Sequence, residues 1–267
     1  MKLEQLIKEI KTKNSFLCVG LDTNIEKLPK HLPKNAQGVL EFNKLIIDAT
    51  KNYCVSYKIN TAFYEAMGWQ GWKVMEETFA YMPDNVFKIA DAKRGDIGNT
   101  SKQYADAFFK NINADAVTLA PYMGNDSLEP FFNYKGKWGI ILALTSNKGS
   151  ADYEQQQIDG RYLFEHVIEN SKKLGSPENT MFVVGATKPQ EFELIRKIAP
   201  DNFLLVPGVG AQGGNLHDVV KYGKNKNIGL LINASRSIIY ASDEADFAEA
   251  ANLEAQKICI EMAPYCK

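Results

Sequence analysis

The sequence predicts an α/β protein, a single closed (β/α)8 TIM barrel that occupies residues 1–267. Eight short apolar segments lack alternation of polar and apolar residues, which is typical of parallel strands covered on both faces. Helical patterns fill nearly every gap between them, and no linker or low-complexity segment interrupts the series. An open doubly wound sheet is the competing fold, but it usually opens on a G-x-G-x-x-G turn. Here the first strand ends in GLDTN, which favours the barrel.

The predicted elements begin with an amphipathic helix in residues 1–13, where Leu3, Leu6, Ile7 and Ile10 recur at helical spacing. Eight predicted strands follow in this order: 16–22, 55–64, 86–93, 116–120, 139–146, 181–187, 203–210 and 228–235. Helical patterns between the strands are clearest in 37–52, 71–82 and 188–199. The polar stretch 145–160 has little helix or strand pattern. Its place after the fifth strand predicts a lid loop at about 146–158.

Composition and charge exclude several classes of function. The net charge of −1 provides no electrostatic footprint for nucleic acid or an anionic membrane. The N-terminal segment does not have the pattern of a signal peptide, and no apolar stretch reaches the roughly 18 residues of a membrane span. The four cysteines form no C-x-x-C pair and the three histidines are scattered, so we expect neither a disulfide framework nor a zinc site. This pattern favours a cytoplasmic location.

Polar and charged side chains stand at the ends of the predicted strands. In a (β/α)8 barrel the active site lies at the carboxyl ends of the strands, so these side chains converge on one mouth. Ordinary strand ends carry Gly, Asn or Ser for turn formation, whereas several here are charged. The strand-end residues are Asp22, Lys58, Asp91, Lys93, Ser146, Thr187, Gln212 and Arg236. Their convergence predicts the position of the functional site.

The strongest cluster of charge lies in DAKRGD, residues 91–96. Asp91 and Lys93 are two positions apart on a strand, which predicts that their side chains share a face. Lys58 is expected beside Asp91 in the sheet, and Asp96 follows in the loop, so the charges alternate in sign. The alternatives are a structural ion-pair network or a Mg²⁺ site. Burying several charges for structure alone is rarely favourable, and the lysines occupy the place of a metal, so we predict a metal-free catalytic array.

A phosphate site is predicted in the loops after the seventh and eighth strands. VPGVGAQGGN (206–215) ends the seventh strand with four glycines and leads into a helical segment. Glycines allow backbone N–H groups to approach an anion closely, and a helix N-terminus favours negative charge. Arg236 follows the eighth strand, and the loops after strands 7 and 8 commonly bind phosphate in such barrels. Glycines that only form tight turns are the simpler alternative, and Arg236 in the adjacent loop favours phosphate.

These residues resemble the orotidine 5′-phosphate decarboxylase family across the whole barrel and in the same order. The similarity rests on LD at 21–22, Lys58, DAKRGDIGNT at 91–100, TSN at 145–147, PGVGAQGG at 207–214 and ASRSI at 234–238. RGDIGNT together with AFYEAMGWQG (62–71) is similar to the branch common in bacteria, called type 2. The resemblance implies conversion of orotidine 5′-monophosphate to UMP in pyrimidine synthesis, with no metal or organic cofactor, by a homodimer.

The resemblance also implies a role for each matching catalytic residue. Lys93 is expected to be the proton donor to C6 of the pyrimidine, and Asp91 to lie by the leaving carboxylate. Asp22 and Lys58 are expected to contact the ribose hydroxyls. Asp96, Ile97 and Thr100 are expected to reach into the neighbouring subunit's site, and Asp96 also to favour the protonated form of Lys93.

The remaining implied contacts surround the base and the phosphate. Ser146 is expected at the pyrimidine edge, Pro207 in the wall of the base pocket, and Gln212 between base O2 and phosphate. Arg236 is expected to bind phosphate, with Ser235 beside it in the substrate site. Two positions depart from the family pattern: Lys148 replaces a proline in the lid, and Ser235 stands where many relatives have glycine.

Two other functions remain open at this point. A sister decarboxylase of 3-keto-gulonate 6-phosphate shares the D-x-K-x-x-D pattern but uses Mg²⁺ and places a carboxylate near the position of Lys58. A non-catalytic binder of phosphorylated ligands would leave the charged array without a purpose. Lys58 and Ser146 argue against the first, and the array itself argues against the second.

Overall fold

The eight predicted strands form a closed parallel barrel, which confirms the fold class. The computed structural model describes residues 1–186, 190–209 and 214–266. The barrel strands are β1 Leu17–Gly20, β2 Ser56–Asn60, β3 Phe87–Arg94, β4 Ala116–Leu119, β5 Trp138–Leu144, β8 Thr180–Val184, β9 Phe203–Pro207 and β10 Leu230–Ala234. A separate antiparallel pair consists of β6 Gln157–Ile158 and β7 Arg161–Tyr162. The strands pair in the order β1-β10-β9-β8-β5-β4-β3-β2, and β1 pairs with β2 to close the ring.

Helices surround the barrel and connect its strands. They are α1 Leu3–Lys13, α2 Ala36–Thr50, α3 Ala62–Glu65, α4 Trp69–Tyr81, α5 Gly98–Asp106, α6 Asn125–Phe132, α7 Leu163–Ser171, α8 Glu191–Ile198, α9 Leu216–Gly223, α10 Arg236–Ile239 and α11 Phe247–Met262. The four helical patterns noted in the sequence correspond to α1, α2, α4 and α8. In the described part of the chain, every helix is too short or too polar to cross a bilayer.

Helix α2 illustrates how local sequence starts an element and burial completes it. The side chain of Asn35 accepts a hydrogen bond of 3.1 Å from the backbone N–H of Gly38, which caps the N-terminus. Val39, Phe42 and Ile46 recur at helical spacing and are fully buried. Each large apolar side chain buried in this way contributes about 1.5–3 kcal/mol. The outer helical layer is therefore held on the strands mainly by its apolar face.

The strands are almost entirely apolar because both of their faces are covered. Every residue of β1, β4 and β8 is buried, and Trp138 and Tyr57 are among the largest fully buried side chains. Lys58 is the exception that matters for function, since this lysine of β2 is only 5% exposed. A buried ammonium requires a charged partner, which directs attention to the carboxyl ends of the strands.

The segment predicted as a patternless lid has more structure than expected. Lys148 begins a 3₁₀ helix, Lys148–Asp152, and the short strands β6 and β7 then form a hairpin. The turn between them is Asp159-Gly160, with positive φ at both residues (52° and 77°). Asp-Gly is the usual sequence of a two-residue type I′ hairpin turn. Asp159-Gly160 therefore indicates a hairpin in the sequence. The hairpin was not predicted because each flanking strand has only two residues, too few to show a strand pattern.

Candidate active site

A cavity of about 350 Å³ lies at the carboxyl ends of the barrel strands. It brings together eight of the sequence-predicted site residues: Asp22, Lys58, Asp91, Lys93, Ser146, Pro207, Ser235 and Arg236. Thr187 and Gln212 lie outside the described residues. Asp96, Ile97 and Thr100 do not line the cavity of their own chain. The predicted convergence at one mouth is thus present for residues in or just after the carboxyl ends of six strands.

The centre of the cavity is a row of charges of alternating sign. Lys58 Nζ lies 3.5 Å from Asp22 Oδ1 and 3.0 Å from Asp91 Oδ2. Asp91 Oδ1 in turn lies 2.7 Å from Lys93 Nζ. Exposure increases from Lys58 outwards, because the side chain of Lys58 is 6% exposed, that of Asp91 is 11% exposed and that of Lys93 is 47% exposed. Lys93 therefore presents its ammonium to the open part of the cavity while Asp91 holds it from below.

Charge and burial together set the ionisation of the inner pair. Burial opposes ionisation of Asp91, but the charges of Lys58 and Lys93 outweigh it and hold the pKa of Asp91 well below its usual value. Burial likewise opposes protonation of Lys58, but Asp22 and Asp91 raise the pKa of Lys58 above its usual value. Asp91 and Lys58 are therefore both charged at neutral pH.

The register of β2 and β3 differs from the expected one. Asp91 pairs with Asn60, and Lys58 pairs with Ile89, so Lys58 is not the direct neighbour of Asp91. The contact still forms because Ile89, the direct neighbour of Lys58, and Asp91 are two residues apart on β3 and lie on the same face of the sheet. The long side chain of Lys58 reaches from its own position diagonally across to Asp91. Asn60 donates its backbone N–H to Asp22 Oδ1 at 3.2 Å and thereby orients the first carboxylate of the row.

Lys93 reaches the cavity by a route that strand alternation does not describe. Ala90 pairs with Val117 and Arg94 with Leu119, so a step of four residues on β3 faces a step of two on β4. The strand bulges between these points, and Lys93 adopts the left-handed conformation with φ of 48°. The side chains of Asp91 and Lys93 meet in the cavity as the sequence predicted, although the bulge interrupts the period of two on which that prediction was based.

The phosphate end of the cavity is formed by β9 and β10. Arg236 begins α10 directly after β10 and is exposed, and within the described residues its guanidinium has no hydrogen-bond or ion-pair partner. Gly208 follows β9 with φ of 95°, a conformation that favours glycine. Ser235 is accommodated because its Oγ donates to the carbonyl of Gly20 at 3.0 Å. A Cβ on residue 20 would lie 2.8 Å from the Cβ of Ser235, so the glycine makes room for the serine.

The segment after β5 forms the third wall. Thr145, Ser146 and Asn147 line the cavity. Glu154, which follows the 3₁₀ helix Lys148–Asp152, holds Thr145, since the Thr145 backbone N–H donates to Glu154 Oε2 at 2.7 Å and the hydroxyl lies 2.9 Å from Oε1. The segment after β5 is therefore tied back to the residue that precedes Ser146.

Four contributors to the site were missed by sequence reasoning: Asn60, Thr118, Glu154 and Asn233. Asn60, Thr118 and Asn233 lie at or near the carboxyl ends of their strands, so the strand-end rule could have found them. Glu154 carried no comparable signal, because its contact depends on the path of the chain after β5.

Asp96, Ile97 and Thr100 lie just outside the cavity, at the start of α5. Asp96 Oδ1 accepts a hydrogen bond of 2.8 Å from the backbone N–H of Ile97, and the Ile97 side chain is 56% exposed. Within a single chain these three residues therefore form a surface beside the mouth rather than part of its lining.

The barrel, the lysine–carboxylate row and the arginine after β10 define a (β/α)8 enzyme with its site at the carboxyl ends of the strands. The Orotidine 5′-phosphate decarboxylase / HUMPS family model matches residues 15–251, and the chain belongs to this family. It is 54% identical over 266 residues to the orotidine 5′-phosphate decarboxylase of Phocaeicola vulgatus, covering 98% of each chain. The OMP decarboxylase structure of Leishmania donovani has a TM-score of 0.85 and 36% identity, covering 100% of this chain and 99% of that one. The UMP synthase structure of the same organism has a TM-score of 0.87 and 38% identity, and the match spans 57% of that longer chain.

Proposed function

We propose that this chain converts orotidine 5′-monophosphate to UMP and CO₂ in pyrimidine biosynthesis. The observation that carries the proposal is the row Asp22–Lys58–Asp91–Lys93 inside the mouth of the barrel. Full-length relatives at 54% identity with the same activity in their names support it. The cavity of about 350 Å³ is within the usual range for a small-molecule site.

The proposed chemistry accounts for the charges. Loss of CO₂ from C6 of the pyrimidine breaks the carbon–carbon bond and leaves the electron pair on C6 in an sp² orbital, which the ring delocalises poorly. The Lys93 ammonium lies 2.7 Å from Asp91 and is positioned to stabilise that charge electrostatically. Lys93 then transfers its proton to C6 to give UMP, and the neutral amine takes a proton from water. Stabilisation that arises only as charge develops lowers the barrier without tightening ground-state binding.

The other pocket residues serve to orient the substrate in this proposal. Arg236 and the loop after β9 bind the phosphate, with Ser235 and Gln212 beside it. Asp22 and Lys58 contact the ribose hydroxyls, whereas Ser146 and Pro207 contact the base. Binding energy from the phosphate, far from C6, contributes to holding C6 against Lys93.

The Mg²⁺-dependent decarboxylation of a sugar phosphate is disfavoured by the donor set. The buried ammonium of Lys58 lies between Asp22 and Asp91, where that reaction needs a carboxylate for the metal. Activity towards orotidine 5′-monophosphate that is unaffected by EDTA is expected. Activity towards 3-keto-gulonate 6-phosphate that is lost with EDTA and restored by Mg²⁺ would instead favour the sugar-phosphate reaction.

We further propose a homodimer in which Asp96, Ile97 and Thr100 complete the partner's site. Ile97, Tyr122 and Met123 are exposed apolar residues of two adjacent loops, since Gly95 packs near the carbonyl of Ala120. An exposed apolar surface beside the mouth of the cavity favours an isologous contact.

The direct test of the activity is the loss of orotidine 5′-monophosphate absorbance, followed for the wild type and for Lys93→Ala. The variant is expected to bind UMP but to keep less than about a hundredth of the turnover, since general-acid catalysis contributes roughly 10²–10⁴-fold. A variant with higher residual turnover would contradict the role of Lys93 as proton donor.

The shared site is tested with mixed dimers. Lys93→Ala and Asp96→Ala chains with different tags are co-expressed, and the mixed dimer is purified through both tags. One of its two sites is then intact, and about half of the wild-type activity is expected. The matched control pairs Lys93→Ala with Asp91→Ala, both from the same side of the site, and is expected to stay inactive. An inactive Lys93→Ala/Asp96→Ala dimer would refute the sharing.

A further inference from the structure

We propose that Thr118 is a positioning residue that sets both members of the Asp91–Lys93 pair through its single hydroxyl group. Its Oγ1 donates to Asp91 Oδ1 at 2.9 Å and accepts the backbone N–H of Lys93 at 2.9 Å. The direction of each bond is fixed, because an ionised carboxylate only accepts and an amide N–H only donates. This proposal rests on the proposed function, since it concerns how the proton donor is held.

The bulge in β3 explains why a side chain is needed at this point. Between Ala90 and Arg94 the regular ladder with β4 is interrupted, so the backbone groups in the bulge need other partners. The carbonyl of Ala92 accepts from Arg94 Nη1 at 2.8 Å, and the N–H of Lys93 donates to Thr118. Side chains thus replace ladder bonds in the segment that carries the proposed proton donor.

The backbone conformation of Lys93 depends on the hydrogen bonds that side chains supply in the bulge. A left-handed backbone is unfavourable for a residue with a Cβ and persists where the surroundings hold it. Thr118 is 1% exposed, so its hydroxyl has no alternative partner in bulk water. Without the hydroxyl, the Lys93 N–H loses its acceptor and Asp91 loses one of its donors, and both side chains can shift together. The ammonium would then point less accurately at C6, whereas the proposed phosphate contact of Arg236 involves neither Asp91 nor Lys93.

Three variants separate positioning from packing. Thr118→Val preserves the shape and removes the hydroxyl, whereas Thr118→Ser preserves the hydroxyl and removes a methyl group. The matched control is Thr50→Val, because Thr50 is also fully buried and its hydroxyl lies 2.7 Å from the Ile46 carbonyl and 2.8 Å from Tyr57 Oη, outside the cavity. For each variant, kcat and KM for orotidine 5′-monophosphate, the dissociation constant of UMP and Tm are measured.

For Thr118→Val, kcat is expected to fall by about 10–100-fold, since small misplacements of reacting groups cost up to roughly 10²-fold. KM and UMP binding are expected to change less than about threefold, and Thr118→Ser to retain most of the turnover. Thr50→Val is expected to lower Tm without lowering kcat. If Thr118→Val is insoluble, Thr118→Ala is measured in its place, with the same expected loss of kcat.

Two results would overturn the positioning role. One is a normal kcat in Thr118→Val, and the other is a loss in Thr118→Ser equal to that in Thr118→Val, which would assign the effect to the methyl group. A wild-type chain that does not convert orotidine 5′-monophosphate would refute the proposed function instead, so the two failures are distinguishable.

Discussion

Replacement of Lys58 by methionine is expected to destabilise the barrel by an amount that its surroundings determine. The side chain is 6% exposed and lies 3.0 Å from Asp91 and 3.5 Å from Asp22, whose side chains are 11% and 19% exposed. Methionine preserves the length and apolar stem of lysine but removes the charge. Among the described residues, Asp22 then loses the ion pair with Lys58, and Asp91 keeps the ion pair with Lys93 and the hydrogen bond from Thr118.

The magnitude follows from charge and solvent access. At 3.0 Å and an effective dielectric constant of about 20, the attraction between Lys58 and Asp91 is about 5.5 kcal/mol before desolvation is considered. Removal of one partner of a buried pair costs about 3–5 kcal/mol, and the partial exposure of both carboxylates favours the lower end. With an unfolding entropy of about 2.1 cal/mol/K per residue, a loss of ~3 kcal/mol in a chain of 267 residues lowers Tm by ~5 °C.

The same pair predicts how stability depends on pH. The pKa of Asp91 is lower in the folded than in the unfolded chain, so its stabilisation is complete above the unfolded value of about 3.9 and is lost as the pH falls towards the folded pKa. The pKa of Lys58 is raised by folding, so its stabilisation is complete below about 10.4 and is lost as the pH rises through the folded pKa. The difference in Tm between wild type and Lys58→Met should therefore be constant from about pH 5 to 9 and shrink on both sides.

The measurement is thermal unfolding of both proteins across this range, with Lys51→Met as the matched control. Lys51 Nζ lies 2.8 Å from Asp48, closer than Lys58 lies to Asp91, but both side chains are more than 40% exposed. This control should not change Tm measurably, because water screens exposed pairs. Equal Tm values for wild type and Lys58→Met at pH 7 would refute the reasoning, as would equal shifts for both variants.

Three further changes probe the walls of the cavity. Gly185→Ala places a Cβ 2.8 Å from the N, Cα and Cβ atoms of Ser146, so kcat/KM should fall at least roughly tenfold. An unchanged kcat/KM would show that Ser146 can move away from the new Cβ without loss of activity. Glu154→Ala removes the acceptor of the Thr145 N–H, and steady-state kinetics should show a higher KM with a smaller effect on kcat. A large fall in kcat with little change in KM would instead indicate that Glu154 acts in the chemical step. Arg236→Ala should raise KM at least roughly tenfold, since a bond to a charged group contributes about 1.5–3 kcal/mol. Added guanidinium should restore part of that loss, and a normal KM would move the phosphate site elsewhere.

The sequence alone determined the class of fold and the edge of the barrel where the site lies. All eight strands were predicted because a strand that is buried on both faces has a run of apolar residues without alternation in its own sequence. Asp22, Lys58, Asp91 and Arg236 were placed at one mouth because the parallel topology brings every carboxyl end to the same side. Both inferences use information within a few residues of each element.

Only the tertiary structure decided how the charges meet. The bulge that turns Lys93 into the left-handed conformation depends on β4 across the ladder, and the period of the β3 sequence contains no trace of it. The hydrogen bonds of Thr118 with Asp91 and Lys93, and those of Thr145 with Glu154, join residues that are 9 to 27 positions apart. No local sequence pattern predicts such contacts. Periodicity records which face of an element is buried, whereas catalytic geometry depends on distances between elements, and those are set by packing and register.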